Sequence, residues 1–272
     1  MRTNRRPCGL AADVARCAAA IPGGGSAARL FVPVLCAFLS LGAVAGEPTA
    51  ERILALVDAN LSSSNRVFTS RMIIHGRRGS RTVASRSWGA GASKAFTEYL
   101  APPREKGTKM LKLEDKLWVY SPATDRTIRI AGHMLRQSVM GSDLSYEDMM
   151  EDATLAEHYA ARIEGTESVD ERACWVLTLT AKTDDLAYHS RKVWVDRERL
   201  VPLREELFAK SGRLLKRTEL SDFEEIQGRW YPKRILFKDV LKRGKGTEFV
   251  IETIAFDQAI PAHIFSKASL RK

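Results

Sequence analysis

Cysteine is scarce in this sequence, and its few copies are unevenly placed. Four cysteines in 272 residues exclude the dense disulfide framework of small secreted domains. Cys8, Cys17 and Cys36 all precede residue 46, so Cys174 has no partner for an intrachain disulfide within residues 46–272. Cys174 lies within an apolar strand pattern, which favours a buried thiol over a reactive one.

The sequence also lacks the signatures of catalysis, metal binding and cofactor binding. It contains no G-x-S-x-G elbow, no H-E-x-x-H pair and no glycine-rich phosphate loop. Its five histidines have no metal-ligand spacing, and the acids between Asp143 and Asp152 lack the spacing and central glycine of a calcium loop. We interpret those acids as a solvated helix face near a positive helix end. The prediction is a non-enzymatic protein without a metal or a cofactor.

Positive charge is not concentrated enough to indicate nucleic acid as a partner. The chain carries 43 Lys and Arg against 33 Asp and Glu, a net charge of +10, but five Arg and one Asp precede residue 46. Residues 46–272 therefore carry 38 basic and 32 acidic side chains, a net charge of +6. The two signs alternate there, as in Arg197-Glu198-Arg199, which is typical of a mixed solvated surface. This mild basicity is better matched to a membrane surface.

No apolar run reaches the roughly 20 residues that a membrane-spanning helix needs. The longest uncharged apolar run extends from Leu30 to Ala45, contains Pro33 and follows five arginines. It ends in Ala43-Val44-Ala45, which fits the small-x-small pattern of a signal-peptide cleavage site. We predict a cleaved secretory signal peptide over residues 1–45 and one exported domain over residues 46–272. The alternative, a membrane anchor, fits this length less well.

Alternation of apolar and polar residues dominates the chain after residue 65. Turn signals recur about every 10 to 20 residues without long helices between them, which is typical of an antiparallel meander. Only two stretches have a helical pattern, 51–61 and 142–152. The predicted strands are Arg66–His75, Thr82–Trp88, Lys94–Leu100, Lys109–Leu113, Leu117–Tyr120, Arg126–Ile130, Ala160–Glu164, Ala173–Ala181, Arg191–Asp196, Pro202–Ala209, Leu214–Phe223, Arg229–Val240 and Thr247–Phe256. We predict a mainly β fold of the α+β type, a single curved antiparallel sheet with the helices on its concave side.

The large apolar side chains of this sheet indicate either a filled core or a hydrophobic cavity. A curved sheet with two short helices cannot cover its whole concave face, and an uncovered apolar face suits a hydrophobic ligand. The candidate ligand-binding residues are Leu111, Leu113, Trp118, Tyr120, Tyr146, Met149, Met150, Trp175, Leu177, Leu179, Phe249 and Ile251. The residues alone leave a core and a cavity about equally open.

Several stretches resemble a known family. They are FTEYLAPPREKGTKML at 96–111, DKLWVYSP at 115–122, QSVMGSDLSYED at 137–148, KVWVD at 192–196, PLREE at 202–206 and RWYP at 229–232. Together they resemble the outer-membrane lipoprotein-sorting protein family, distant relatives of the LolA periplasmic lipoprotein carrier. The resemblance extends from Glu51 to Phe265, and residues 141–148 are its most specific part.

This resemblance implies an unclosed antiparallel β-barrel whose helices form a lid over a hydrophobic cavity. It also implies a periplasmic role in lipid binding and transport, in which acyl chains of lipids or lipoproteins are sequestered for sorting to the outer membrane. An inner-membrane transporter or an outer-membrane acceptor would be the protein partner of a monomeric carrier. In this interpretation Gly141 is the hinge of the lid helix.

Two alternatives stay open at this point. In the first, the same fold is a sensor or scaffold module that partners an envelope transporter or a stress regulator. In the second, it is a hydrolase of envelope lipids, which would need a catalytic constellation that the sequence does not display. A co-purifying lipid favours the carrier, whereas a captured membrane-protein partner and an empty cavity favour the scaffold.

Overall fold

One open antiparallel sheet dominates the computed structural model, which describes residues 47–151 and 154–272. Its strands are β1 (Asn65–His75), β2 (Ser80–Ala90), β3 (Lys94–Ala101), β4 (Lys109–Leu113), β5 (Lys116–Ser121), β6 (Arg126–Ile130), β7 (Tyr159–Val169), β8 (Arg172–Ala181), β9 (Ser190–Asp196), β10 (Pro202–Phe208), β11 (Leu214–Ile226), β12 (Arg229–Asp239) and β13 (Gly246–Phe256). Their order across the sheet is β6-β5-β4-β3-β2-β1-β13-β12-β11-β10-β9-β8-β7. The predicted mainly β fold with one unclosed antiparallel sheet is confirmed. The predicted signal peptide, residues 1–45, lies outside the described residues.

The connection between the two edge strands crosses one face of the sheet. Because β6 and β7 are consecutive in the chain but lie at opposite edges, residues 131–158 have to span the distance between them. This crossing segment contains 3₁₀ turns at Gly132–Arg136 and Val139–Gly141 and the short helices α2 (Tyr146–Met150) and α3 (Leu155–His158). We call the face of the sheet that it covers the inner face, and the opposite one the outer face.

The helix predicted at 142–152 is much shorter in the structure. Ser145 begins α2 with a capping box, since its Oγ accepts the Asp148 N–H and the Asp148 carboxylate accepts the Ser145 N–H. The predicted helix does not begin at residue 142, because Ser142 (φ −77°, ψ −177°) and Ser145 (φ −99°, ψ 165°) have extended backbone angles. The helix stops at the extended residue Glu151, and residue 152 lies outside the described range.

Helix α1 (Ala50–Leu61) lies on the inner face of β7, β8 and β9, close to its predicted position. Thr49 caps its N-terminus by accepting the Arg52 N–H at 3.3 Å. The apolar side of α1 is almost fully buried in the largest core cluster. That cluster comprises Ala50, Ile53, Leu54, Val57, Leu155, Tyr159, Trp175, Leu177, Leu179, Val193 and Val195. No helix among the described residues is long and apolar enough to cross a bilayer.

Asp58 of α1 caps the start of α3. Its Oδ1 accepts the Leu155 N–H at 3.1 Å and its Oδ2 accepts the Ala156 N–H at 2.8 Å. These are two of the N–H groups that a helix end leaves without an intrahelical partner. We expect Asp58→Ala to lower the free energy of unfolding by about 1–2 kcal/mol, as for a lost N-cap. Urea titration measures the change, and Glu51→Ala, which removes an exposed acid from the first turn of the same helix, should cost less, about 0.3–1 kcal/mol. Equal stability of both variants would contradict the capping role.

The C-terminal residues cover part of the outer face. Two 3₁₀ turns, Ala262–Phe265 and Lys267–Leu270, pack on β2 to β5 and bury Leu270 completely. The strand residues of this cluster are Phe96, Leu111 and Trp118. A second outer-face cluster on β8 to β10 contains the buried Cys174. Burial raises the pKa of the Cys174 thiol, which suits the inert role that its apolar surroundings predicted.

Candidate functional site

A cavity of about 640 Å³ lies between the inner face and the crossing segment. Its volume falls within the roughly 300–1,000 Å³ of known small-molecule sites. Residues of β1, β2, β3 and β13 contribute the sheet side, and residues 139–151 contribute much of the opposite side. Directly paired residues of neighbouring strands point to the same face, so the strand register determines which side chains meet there.

The deeper part of the cavity is apolar. Met72 of β1 stands opposite Phe249 of β13 in the ladder, and Phe68 meets Phe249 edge to face with ring centroids 6.3 Å apart. The crossing segment adds apolar side chains from the opposite side. These are Val139, Leu144 and Met149. The lining thus offers both rigid aromatic rings and two adaptable methionines to a hydrophobic ligand.

A row of hydroxyl groups interrupts this apolar surface. Ser85 of β2 lines the cavity and pairs with Ser70, with 3.0 Å between the oxygens. Ser87 and Thr97 also line it and pair at 2.9 Å. In each pair one hydroxyl donates and the other accepts, which leaves one proton per pair for a further acceptor. A bound molecule with an ester, an amide or a hydroxyl group finds hydrogen-bonding partners here.

Basic residues outnumber acidic ones in the lining. The basic residues are Arg66, Lys94, Lys112 and Arg229, and the acidic ones are Asp148 and Glu151. Both acids form ion pairs with basic side chains that do not line the cavity. Positive charge in the lining is therefore not neutralised from within, and a low-dielectric wall strengthens its field.

Asp148 attaches α2 to the inner face of the sheet. Its carboxylate forms an ion pair with Lys216 of β11 and accepts the hydroxyl proton of Tyr188, and the side chains of Asp148 and Lys216 are only 12% and 11% exposed. Burial alone would raise the pKa of Asp148, but Lys216, the Ser145 N–H and Tyr188 together hold it below its ordinary value. Burial and the nearby Asp148 carboxylate raise the pKa of Tyr188, so that its hydroxyl stays protonated as a donor.

A second ion-pair cluster lies beneath the end of α2. Arg191 of β9 is 3% exposed, pairs with Glu151 and has its Nη1 3.9 Å from Oε2 of Glu205 on β10. Its guanidinium carbon also lies 4.8 Å from the ring centre of Tyr159 and 5.4 Å from that of Tyr188. Burial lowers the pKa of Arg191 and raises that of Glu205, and each partner opposes the other's shift. The cluster therefore depends on both charges being present.

These contacts correct the interpretation of the acidic residues as a solvated face. Asp143 is 8% exposed, accepts the Thr247 hydroxyl at 2.8 Å and the Asp239 N–H at 3.0 Å, and so binds the crossing segment to β12 and β13. Asp148 and Glu151 are ion-paired as described. The spacing of these acids is also what a solvated helix N-terminus would show. Their basic partners, Lys216 and Arg191, are distant in the sequence, so local patterns could not reveal the ion pairs.

A second cavity of about 640 Å³ lies at the far side of α2 and is lined mainly by polar residues. Lys216 and Tyr188, which contact Asp148, also line this second cavity. Its lining includes acids such as Asp184 and Glu147 beside bases such as Lys210 and Lys242. Opposite charges alternate there, so this cavity offers neither the apolar area nor the single sign of charge of the first.

The structure distributes the candidate ligand-binding residues over three places. Phe249 and Met149 line the cavity, and Ile251 is buried on the same inner face. Tyr146 and Met150 pack against the inner-face core cluster that contains Met72. On the inner face under α1 lie Trp175, Leu177 and Leu179. On the outer face, with the C-terminal turns, lie Leu111, Leu113, Trp118 and Tyr120. Neither of the last two groups is part of the cavity lining.

Gly141 stands at the end of the 3₁₀ turn that forms one side of the cavity. Its φ of 71° is in the left-handed region, where glycine is the residue of least strain. The guanidinium of Arg81 donates to the neighbouring Met140 carbonyl, which ties this turn to β2. Gly141 therefore lies between Met140, which is bound to β2, and Asp143, which is bound to β12 and β13.

The residues that line most of the sheet side are not among the candidate ligand-binding residues. Phe68, Met72, Ser85, Ser87 and Thr97 alternate with outer-face residues along β1, β2 and β3. That alternation was visible, but serine and threonine are typical of a solvated face. Only the position of the crossing segment shows that these hydroxyls are covered. Among the described residues, no cluster of His, Cys, Asp and Glu could hold a metal ion.

Comparison with known proteins identifies a family and a fold. A family model with the description "Uncharacterized protein" matches residues 91–272. A domain described as outer membrane lipoprotein-sorting from Vibrio parahaemolyticus is 22% identical with a TM-score of 0.72, covering 82% of this chain and 100% of its own. A DUF1329 family protein from Desulfovibrio piger is 24% identical with a TM-score of 0.74, over 81% and 97% of the two chains.

A LolA superfamily protein from Nitrosomonas europaea is also similar to this chain. It is 24% identical with a TM-score of 0.69, covering 82% of this chain and 99% of its own. No curated protein matches the sequence. At these identities the likeness to solved structures establishes a shared fold.

Proposed function

Because this chain belongs to the family whose model matches residues 91–272 and has the fold of LolA superfamily and outer membrane lipoprotein-sorting proteins, we propose that it is a carrier for lipids or lipoproteins. It binds their acyl chains in the inner-face cavity, beneath the crossing segment. The observation that carries the proposal is the cavity itself, with an apolar lining around Phe68, Met72 and Phe249. The name of the Vibrio parahaemolyticus domain supports a role in sorting to the outer membrane.

The driving force of binding is removal of the acyl chain from water. Each CH₂ group that enters the cavity contributes about 0.8 kcal/mol. A chain lying along Phe68 and Phe249 also reaches the hydroxyls of Ser87 and Thr97, which accommodate its ester or amide linkage. Apolar burial therefore supplies affinity, and the hydroxyl row orients the ligand.

We further propose that the chain works in the periplasm as one domain, residues 46–272. The support is the apolar run that ends in Ala43-Val44-Ala45, which has the pattern of a cleaved signal peptide. Cell fractionation with mass determination of the exported protein tests this point. A mature N-terminus at Gly46 is expected, and a cytoplasmic protein that retains residues 1–45 would contradict it.

Release of the ligand requires movement of the crossing segment. We assign the hinge to Gly141, because glycine has no Cβ and can therefore leave its positive φ of 71° with little steric cost. The ion pairs of Asp148 with Lys216 and of Glu151 with Arg191 hold the segment closed on the sheet. Opening breaks these pairs together and exposes Met149 and Leu144, which line the ligand's path.

Native mass spectrometry of the protein, expressed from its full-length sequence and purified under mild conditions, tests the carrier role. We expect a bound lipid that is released on activation and identified after organic extraction. Absence of any bound lipid, together with failure to take up an added acyl probe, would count against the proposal. Cross-linking that captures a membrane protein on an empty cavity would instead favour the scaffold alternative.

Filling the cavity with a side chain should displace the lipid. Ala95 lines the cavity, and it stands between Gly89 of β2 and Lys112 of β4 on the inner face. An indole there displaces at least two CH₂ groups of ligand, about 1.6 kcal/mol or more than tenfold in affinity. We expect Ala95→Trp to lower lipid occupancy by about that factor, measured by native mass spectrometry. Ala84→Trp, on the outer side of β2, is the matched control and should keep its lipid.

A further inference from the structure

Arg66 lies flat across the sheet at one end of the cavity. A Cβ on Gly89 would stand 3.3 Å from Cγ and 3.4 Å from Nε of Arg66, which is tighter than most Cβ contacts, so the arginine side chain would have to shift by a few tenths of an ångström. Gly89 does not have a positive φ, so its backbone does not require glycine. The absent side chain is instead explained by the space that the arginine occupies.

Arg66 belongs to a row of four inner-face residues whose two middle members have little or no side chain. Cross-strand pairing places Arg66 beside Gly89, Gly89 beside Ala95, and Ala95 beside Lys112. Two basic residues thus flank two of the smallest residues. Neighbouring strands are about 4.8 Å apart, so the gap between the two cations spans about three strand spacings. That width admits a compact polar group next to Arg66.

No hydrogen bond or ion pair to the Arg66 guanidinium is found within residues 47–151 and 154–272. Lys94 likewise forms none within these residues, but it is exposed to water. The other two basic lining residues do have partners. Lys112 donates to the Met150 carbonyl at 2.8 Å, and Arg229 donates to the Ser62 carbonyl at 2.6 Å. A half-buried guanidinium with five donors and no acceptor is the group in this lining that needs a partner.

We infer that the ligand of this cavity is an amphiphile with an anionic head group, a carboxylate or a phosphate, that Arg66 binds. The inference rests on the proposed function and narrows its ligand class. A guanidinium donates two parallel hydrogen bonds to two oxygens of either anion, which an uncharged head group cannot accept with the same strength. Phe68 follows Arg66 by two residues on the same face of β1, so the acyl chain continues directly into the apolar part.

Three amphiphiles with one palmitoyl chain each separate head group from chain. Palmitate has a carboxylate, palmitoyl lysophosphatidic acid has a phosphate, and monopalmitoylglycerol is uncharged. We expect the purified protein to bind at least one of the two anions at least about tenfold more tightly than monopalmitoylglycerol, in calorimetric titrations below the micelle concentration. The tighter anion identifies the head group. Added salt should weaken binding of that anion only.

Arg66→Gln should abolish this preference and leave the affinity for monopalmitoylglycerol within about twofold. Arg66→Lys, which keeps the charge but not the paired donors, should retain part of it. Gly89→Val provides an independent variant, because its side chain displaces the guanidinium without removing it. Arg71→Gln is the control, since Arg71 lies on the outer side of the same strand and pairs with Glu252 at 2.6 Å.

The outcomes separate this inference from the proposed function. Equal affinity of the wild-type protein for all three amphiphiles would overturn the head-group assignment and leave acyl-chain binding intact. An Arg66→Gln variant that keeps the full preference for anions would overturn the role of Arg66. Failure of all three amphiphiles to bind, while Ala95→Trp and wild type behave alike, would overturn the proposed function and the inference with it.

Discussion

Replacing Arg191 with methionine is expected to lower the free energy of unfolding by about 3–5 kcal/mol at pH 7, the range for breaking a buried ion pair. Arg191 is 3% exposed and Glu205 is 14% exposed, so the variant leaves a carboxylate in the interior without its counter-charge. Methionine keeps most of the volume, which limits any cavity contribution. Urea titration with a constant m-value measures the loss.

The pH dependence identifies the cause of that loss. Burial already raises the pKa of Glu205 while Arg191 opposes the rise, so removal of Arg191 raises it further. A raised pKa means that the folded variant binds a proton that the unfolded chain has released. The stability of the variant therefore falls as the pH rises from about 4.3, the pKa of glutamate in the unfolded chain, to the raised pKa of Glu205 in the folded variant. Part of the loss should be regained when the pH is lowered from 7 to 5.

Two further variants complete this test. Arg191→Met with Glu205→Leu should recover most of the stability, because replacing both partners removes the buried charge. Arg217→Met is the matched control. Arg217 of β11 pairs with Glu206 of β10 at 3.0 Å on the outer face, and its side chain is 53% exposed. We expect a change below about 1 kcal/mol there. A loss in Arg191→Met that does not depend on pH would assign its role to packing.

Replacing Asp148 with alanine is expected to free the crossing segment from the sheet. Lys216, only 11% exposed, loses its counter-charge, and the Tyr188 hydroxyl loses its acceptor. We expect the opening free energy of the segment to fall by about 2–3 kcal/mol, which accelerates amide hydrogen exchange in Tyr146–Met150 by roughly 30- to 150-fold. Exchange of a bound lipid should accelerate in the same variant.

The matched control for this change is Glu147→Ala, which removes an acid from the same helix. Among the described residues Glu147 forms no ion pair. Hydrogen exchange of α2 should therefore stay near the wild-type rate in that variant. Equal acceleration by both substitutions would show that helix charge, rather than the Lys216 pair, holds the segment.

Acid should weaken the same contact only at low pH. The folded-state pKa of Asp148 lies below its ordinary value, so its contribution to stability is complete above the unfolded-state pKa of about 3.9. That contribution is lost as the pH falls through the folded-state pKa. The opening of α2 should thus not depend on pH between pH 5 and pH 7. Hydrogen exchange, corrected for the intrinsic exchange rate, should therefore be the same at both values.

The strands were largely predictable because their signals are local. β4 was predicted with the bounds that the structure shows, and β1 with a difference of one residue at its start. Period-two alternation and turn residues act within a few positions, and they determine which side chains share a face. The pairing of β1 with β13 joins segments about 180 residues apart in the chain, and no local signal reports such a contact.

The candidate site was less predictable, for a reason visible at Leu111. Alternation showed that Leu111 and Leu113 share a face of β4, but it does not say which face lies under the crossing segment. The outer face is apolar there as well, because Leu270 and the C-terminal turns cover it. Conversely, Ser85 and Ser87 lie on the inner face although their type suggests exposure. Assigning a face to the ligand needs the tertiary positions of both covering segments.

The two free edges of the sheet govern how the protein behaves when it is crowded. An unpaired strand edge is a template to which a second chain can add, which is how many β proteins begin to aggregate. β6 exposes Ile128, which is 52% exposed, but Arg126 and Arg129 beside it give two such edges like charges that repel each other. The ladder of β7 is interrupted by a register shift between Ile163 and Gly165, which bends the other edge. Both features act against the addition of a second chain at these edges.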